Sequence, residues 1–315
     1  MKCLCCGKEI ISPSIDEQNS SWHISCTKKF FNSSFFPRIS ISKDELQNIL
    51  SKSVQIGGVT GVQKKLSLHL ETKGKESRLT LINYPQGYIL KPQSNEYRCL
   101  PEAEYLTMQM AQVVGIKTVP YGLIRLNSEL AYITKRIDRI SQNGVSQKIA
   151  MEDFCQLDGR QTIDKYKSSY ERCSNIIANY SSNARLDMTE FYLRLVFSFV
   201  VGNSDMHLKN FSLIQSNNKY ILSPAYDLLI VNIVNPLDTE ETALTINGKK
   251  RNITKNSFYK LADYCNLTPI VATRLINSVI SKKDKLISLC NESYLPDDLK
   301  EKTIDLIENR CARLN

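Results

Sequence analysis

Within residues 201–213 (VGNSDMHLKNFSL) the chain places Asp205, His207, Lys209 and Asn210 directly after a strongly apolar run. An acid followed five residues later by a carboxamide lets one loop carry both a base for a hydroxyl proton and an oxygen ligand for a metal ion. Ser223-Pro224-Ala225-Tyr226-Asp227-Leu228 begins thirteen residues beyond Asn210. Its acid, Asp227, completes an oxygen set suited to Mg2+, a hard cation that takes one or two protein carboxylates plus phosphate oxygens. Singly, Asp205 and Asp227 read as loop caps, Asn210 as a turn residue and His207 as a hydrogen-bonded core histidine. Together at this spacing they point to metal-assisted chemistry on a hydroxyl.

A rigid element must hold such a loop. Residues 187–201 read as a helix with Asp187 as N-cap, Glu190 three residues on, and apolar cover from Phe191, Leu193, Leu195, Val196, Phe199 and Val200. Gly202 and Asn203 then end it inside the protein. Upstream, Gly57, Gly58 and Gly61 surround Thr60 in QIGGVTGVQKKLSLHL, where alternation through Leu66, Leu68 and Leu70 predicts a glycine-rich turn feeding a strand. Such glycines let backbone amides approach a phosphate, with Lys64 and Lys65 supplying charge, although a plain hairpin has the same signature. Tyr88-Ile89-Leu90-Lys91 ends an apolar strand on one lysine, and a buried strand lysine needs a partner. Residues 101–114 read as a helix with Glu102 and Glu104 in its first turn, where acids suit the dipole and Glu104 could orient Lys91. Strands at 119–126 and 130–135 close a small antiparallel sheet.

At the front, Cys3 and Cys6 form C-x-x-C, and His23 and Cys26 form H-x-x-C. Two such pairs close a tetrahedral thiolate and imidazole site, and Zn2+ suits the ligands in a structural role. Substitution of Cys5 for Cys3 or Cys6, or unmetallated packing cysteines, are the alternatives. Phe30, Phe31, Phe35, Phe36 and Pro37 are expected to dock this segment onto the body, and 42–51 to form a short helix.

The chain has 315 residues, 42% hydrophobic and 23% charged, long enough for two cores. No apolar run approaches the ~20 residues of a membrane span. No secretory signal is recognised at the start, and seven of ten cysteines lie outside any framework, so a cytoplasmic location is expected. The formal net charge of +9 reads as solvated basic surface rather than as a nucleic-acid site. The acids Asp238, Glu240 and Glu241 and the bases Lys249, Lys250 and Arg251 read as solvated loop residues, and Lys165-Tyr166 as a loop that could face substrate. Four helices are expected at 257–265, 269–281, 283–290 and 296–314.

GNSDMHLKNFSL followed by LSPAYDL resembles the D-x-H-x-K-N-F and P-x-Y-D signature of the HipA-type serine/threonine kinase toxins. The resemblance extends over roughly residues 45 to 265. GVTGVQKK is similar to the family's ATP loop, 88–91 to its lysine strand, Lys135-Arg136-Ile137-Asp138-Arg139 to its hinge, and Met151-Glu152-Asp153-Phe154-Cys155-Gln156 to the helix opening its large lobe. It implies an α+β, bilobal protein-kinase-like fold: an N-terminal zinc-knuckle-like segment (1–44), a small antiparallel β lobe with the glycine-rich loop (45–140) and a helical lobe with the catalytic and metal-binding loops (141–315).

By that resemblance Asp205 is the base, with His207 and Lys209 supporting the loop or the transferred phosphoryl group. ATP is bound by Gly58, Val59, Thr60, Gly61, Val62, Gln63, Lys65, Lys91, Lys135, Ile137, His207, Asn210 and Asp227, and Mg2+ by Asn210 and Asp227. The reaction implied is phosphorylation of a protein serine or threonine, with an aminoacyl-tRNA synthetase as the expected substrate class. Implied partners are a small antitoxin and a DNA-binding antitoxin, with no membrane contact. Lys135 stands where the family often has glutamate, leaving a backbone contact to adenine. The family's autophosphorylated serine has no counterpart at Gly58, which leaves Thr60 as the autophosphorylation candidate. Only about fifty-five residues precede the glycine-rich loop, as in the shorter HipT-like members, whose missing subdomain is a separate small protein. Two other readings use the same residues: an inactive zinc-containing adaptor for protein or nucleic acid, and a small-molecule kinase.

Overall fold

The apolar run ending at Val201 forms the helix Ala184–Val201, buried on nearly every side from Phe191 onward. It begins three residues earlier than the expected cap, because Ala184, Arg185 and Leu186 are good helix formers and extend it back to Asn183. Asp187 is therefore not the N-cap. Its carboxylate lies in the first turn and accepts from Ser181 Oγ (2.5 Å) and the Leu222 backbone N–H (2.7 Å), tying the helix to a strand. At the other end Gly202 takes φ 74° and donates back to Phe199 and Ser198, a left-handed stop that places the next residues in the interior.

The computed structural model describes residues 1–39, 65–73, 76–80, 87–126, 128–142 and 145–315. The glycine-rich stretch, with Gly58, Val59, Thr60, Gly61, Val62 and Gln63, and the helix expected at 42–51 lie outside them. The chain divides into two compact units, Met1–Tyr105 with Val119–Gln147, and Leu106–Thr118 with Lys148–Asn315.

In the first unit the strands β1 (Arg38–Ile39), β2 (Leu66–Lys73), β3 (Glu76–Thr80), β4 (Tyr88–Lys91), β5 (Tyr121–Leu126) and β6 (Glu129–Lys135) form one sheet in the order β1-β3-β2-β4-β6-β5, and β7 (Arg139–Gln142) pairs with β8 (Val145–Lys148) in a separate two-stranded sheet. The expected antiparallel pairing holds except at the edge, where β1 runs parallel to β3. Leu66, Leu68, Leu90 and Ile133 are buried between these strands, as the alternation requires.

Residues 1–36 pack against the same sheet through Trp22, the chain's single tryptophan. Its indole is fully buried, donates from Nε1 to the Leu123 carbonyl (2.8 Å) and sits among Phe30, Phe31 and Phe36. Phe31 and Phe30 also meet Tyr88, so the docking expected of the aromatic residues is theirs. Phe35, 44% exposed, does not share it. Gly122 on β5 makes the fit possible: a Cβ there would lie 2.5 Å from Trp22 Cζ2. Gly122→Ala must push the indole out of a filled site and is expected to cost about 1–3 kcal/mol, read in urea unfolding followed by Trp22 emission. An unchanged midpoint would contradict this account of the docking.

The second unit is mainly helical but carries a sheet the sequence did not announce, β11 (Lys219–Leu222), β10 (Ser212–Ser216) and β9 (Met151–Asp153) in that order. Residues 151–153, read as the start of a helix, pair antiparallel with β10. The helix is Phe154–Leu157, for which Asp153 is the cap and Gln156 closes the capping box. The four C-terminal helices, Lys255–Tyr264, Pro269–Ile280, Lys283–Asn291 and Asp297–Leu314, fall within two residues of expectation.

Candidate functional site

In the first unit, Lys91 ends β4 and its Nζ meets both carboxylate oxygens of Glu104, at 2.7 and 2.9 Å, with the two residues 6% and 1% exposed. Glu104 is carried by the helix Leu100–Val113, where Gln93 holds the neighbouring Glu102 in the same two-pronged way. A lysine held by a helix glutamate is the arrangement that kinases use to present an ammonium to nucleotide phosphates. Glu104→Ala takes the carboxylate from a buried ammonium and is expected to cost about 3–5 kcal/mol. Urea unfolding measures it, and a loss below 1 kcal/mol would show that the pair is not what holds Lys91.

Asp138 accepts a two-pronged bond from Arg136 (2.9 and 2.7 Å) and another from Arg139. Lys135 spends its ammonium on the Phe30 carbonyl (3.4 Å), Ile137 is half-buried and Lys65 is exposed.

The N-terminal cysteines converge as their spacing suggested. The ligand atoms of Cys3, Cys6, His23 and Cys26 lie within 4.8 Å of one another. Gly7, at φ 73°, turns the first pair tightly and donates to the Cys3 carbonyl. His23 Nε2 lies 3.2 Å from the Glu9 carbonyl and Nδ1 3.4 Å from Cys6 Sγ. A proton on Nε2 satisfies the first contact and leaves the Nδ1 lone pair facing the thiols. The Cys3 thiol is pushed up to about 12 by its bond to Cys26 and by burial. Three sulfurs and an imidazole nitrogen crowded in this way form a donor set that a divalent cation completes by displacing thiol protons. Cys5 is outside the set, its sulfur 3.9 Å from the Tyr121 carbonyl.

In the second unit the polar loop leaves Gly202 through a turn and a single 3-10 turn, Leu208–Asn210. Asn210 Nδ2 donates to the Asp205 carbonyl (2.7 Å), closing the five-residue spacing on itself. The Asn210 amide oxygen accepts no hydrogen bond among the described residues, so it is the end available to a cation. Lys209 pairs with Asp153 of β9 at 2.7 Å and thus braces the loop. Ser204 Oγ donates to Asp238 (2.7 Å), whose carbonyl, with that of Glu240, accepts from Asn232. The acids at 238–241 are therefore structural pins rather than solvated residues, and Glu241 likewise holds Arg313 and the Ile253 N–H.

The P-x-Y-D segment is fastened to the same loop. Tyr226 donates to the Lys209 carbonyl (2.9 Å) and meets Ser212 Oγ at 2.5 Å. Asp227 follows in the left-handed region at φ 58° with its residue exposed, a strained placement of the kind found at ligand sites.

Asp205 is partly enclosed. Burial pushes its carboxyl up to about 6, a hydrogen bond from Tyr166 Oη (2.5 Å) opposes that rise, and the Asp227 charge adds to it. Burial and the Lys165 charge lower His207 to about 4, so its imidazole is neutral near pH 7. Its Nε2 lies 4.0 Å from Asp205 Oδ1, and Nδ1 is buried without a partner. The structure thus brings Asp205, His207, Lys209, Asn210 and Asp227 together. It adds Tyr166 and Asp153, whose parts no local spacing reveals.

A lysine–glutamate pair, a loop with Asp205 and Asn210, and a following Tyr-Asp segment on an α+β framework define a kinase-like protein. The solved HipA of Shewanella oneidensis, in its complex with HipB and operator DNA, has this fold: TM-score 0.71 and 20% identity over 87% of this chain and 71% of that one. Residues 57–287 match the HipA-like C-terminal domain, and the chain belongs to that family. It is 27% identical to the "Putative kinase" of Haemophilus influenzae over 90% of this chain and 89% of that protein. It is 25% identical to the "Serine/threonine-protein kinase toxin HipA" of Shewanella oneidensis, over 61% of this chain but only 47% of that protein.

Proposed function

We propose that the protein is an ATP-dependent serine/threonine protein kinase acting as the toxin of a toxin–antitoxin system in the cytoplasm. The observation that carries this reading is the loop in which Asn210 is bonded to Asp205 while Tyr226 fastens the Asp227 segment beside them. In the reaction Asp205 accepts the proton of the acceptor hydroxyl, and Asn210 Oδ1 and Asp227 hold Mg2+. Lys91, set by Glu104, binds phosphate oxygens of ATP. Mg2+ held by Asn210 and Asp227 would supply charge neutralisation for the phosphates. Neutral His207 and the Lys209–Asp153 pair keep the loop in place.

An aminoacyl-tRNA synthetase is the substrate proposed, and Thr60 the autophosphorylation site. Phosphate on Thr60 would put negative charge where ATP phosphates must sit and lower activity. A small antitoxin and a DNA-binding antitoxin are the partners. The DNA-binding partner is supported by the HipB and operator complex of the Shewanella protein. Cys3, Cys6, His23 and Cys26 hold a structural Zn2+, since four protein ligands leave no open position.

Incubating the purified protein with ATP, Mg2+ and a cell lysate, then mapping new phosphosites, tests the reading. New phosphoserine or phosphothreonine on a synthetase is expected. Phosphate appearing only on small molecules would favour the small-molecule kinase, and none at all the inactive adaptor.

A further inference from the structure

Asp205 has two carboxylate oxygens, and only one of them is committed. Tyr166 donates its phenol to Oδ1 at 2.5 Å, while Oδ2 accepts no hydrogen bond among the described residues. The tyrosine comes from the irregular stretch after the short 3-10 turn Thr162–Asp164 and is itself held on two sides. Its ring meets the His207 ring edge-on, with centroids 4.9 Å apart, and Lys165 Nζ lies 4.9 Å from its centroid. The Lys165 carbonyl accepts the Leu208 backbone N–H, so this stretch is stitched to the same loop that carries Asp205.

We propose that Tyr166 is the positioning residue of the phosphoryl-transfer step, fixing the Asp205 carboxylate through Oδ1 so that Oδ2 alone faces the acceptor hydroxyl. This rests on the kinase reading above. As the acceptor oxygen bonds to the γ-phosphorus and the bond from that phosphorus to the bridging oxygen of ADP breaks, the acceptor proton passes to Oδ2 and ADP leaves. A carboxylate free to rotate about its Cβ–Cγ bond would present either oxygen at variable angles, and general-base catalysis is sensitive to that geometry. Burial and the Asp205 charge raise the Tyr166 phenol well above its usual range, so it remains a donor.

Tyr166→Phe tests this because it deletes the hydroxyl while leaving the ring against His207 and Lys165. The phosphorylation rate of a protein substrate is measured in the full chain, with Asp205→Asn alongside. The expected result is a fall in kcat of about 10-fold or more, the scale of one lost hydrogen bond to a charged group, with the KM for ATP unchanged. Tyr166→Leu, which also removes the ring, is expected to be no more active than Tyr166→Phe.

If Tyr166→Phe is as active as wild type while Asp205→Asn is inactive, the positioning role is overturned and the kinase reading stands. A rise in kcat overturns it too, because the phenol would then be an occupant that the acceptor displaces. If Asp205→Asn is as active as wild type, the underlying reading itself fails.

Discussion

Asp205→Asn is expected to make the protein more stable at pH 7.5 while silencing it. The Asp205 carboxyl, ordinarily at 3.8, sits at about 6 in the fold because burial disfavours its charge. The folded state therefore holds this proton more tightly than the unfolded chain does. Stability falls as pH rises from about 4 through about 6 and stays lowered above that. Complete ionisation costs the fold about 3 kcal/mol, taking 1.4 kcal/mol for each tenfold in proton affinity. An asparagine carries no charge, so it escapes that cost and can still accept from Tyr166. Urea unfolding without added nucleotide or Mg2+ should show the variant more stable by about 1–3 kcal/mol at pH 7.5, with the difference shrinking towards pH 4. Equal stability at both pH values would mean that the carboxylate is not disfavoured by its surroundings. A base held at the expense of stability is a common feature of catalytic sites.

Removing the zinc proposed at Cys3, Cys6, His23 and Cys26 is expected to have the larger structural effect, confined to the front of the chain. Residues 1–36 contain two short helices, Ile15–Ser20 and Ile24–Phe31, neither long enough to persist without support. A four-ligand zinc site is worth about 10–16 kcal/mol of apparent binding energy at pH 7, enough to decide whether so short a segment is folded. A chelator, or Cys26→Ala, should therefore release one zinc per chain and expose Trp22. Because Trp22 is the chain's single tryptophan and fully buried, its emission reports this directly by a shift to longer wavelength. Stoichiometric zinc loss with unchanged emission would show that the segment folds without the metal.

The residues of the site that the sequence announced are those whose partners lie close along the chain. Asp205 and Asn210 share one turn, and the Cys3–Cys6 and His23–Cys26 pairs are each three residues apart. Lys91 and Glu104 were legible for a different reason: a charge ending an apolar strand demands compensation, and the next helix offered an acid. What stayed hidden depends on contacts between distant segments that leave no periodic trace. Tyr166 reaches Asp205 across 39 positions and Lys209 reaches Asp153 across 56. The sheet β9–β10–β11 escaped because β9 is only three residues long and abuts a capping box, a helix signal that was real but whose helix begins three residues later than expected, at Phe154. Asp187 misled in the opposite sense, since an acid in a first helical turn resembles a cap until the strand it binds is known. The clusters at 238–241 and 249–251 have the composition of solvated loops. Only the fold reveals that Asp238 pins Ser204 and that Glu241 pins Arg313.

Transfer of radiolabel from γ-labelled ATP to protein, compared between wild type and Asp205→Ala in the presence of Mg2+, tests the central claim most directly. Label on serine or threonine is expected with the wild type, and a loss of at least about 100-fold with the variant, the lower range for a general base. Equal labelling by the two proteins would contradict that claim.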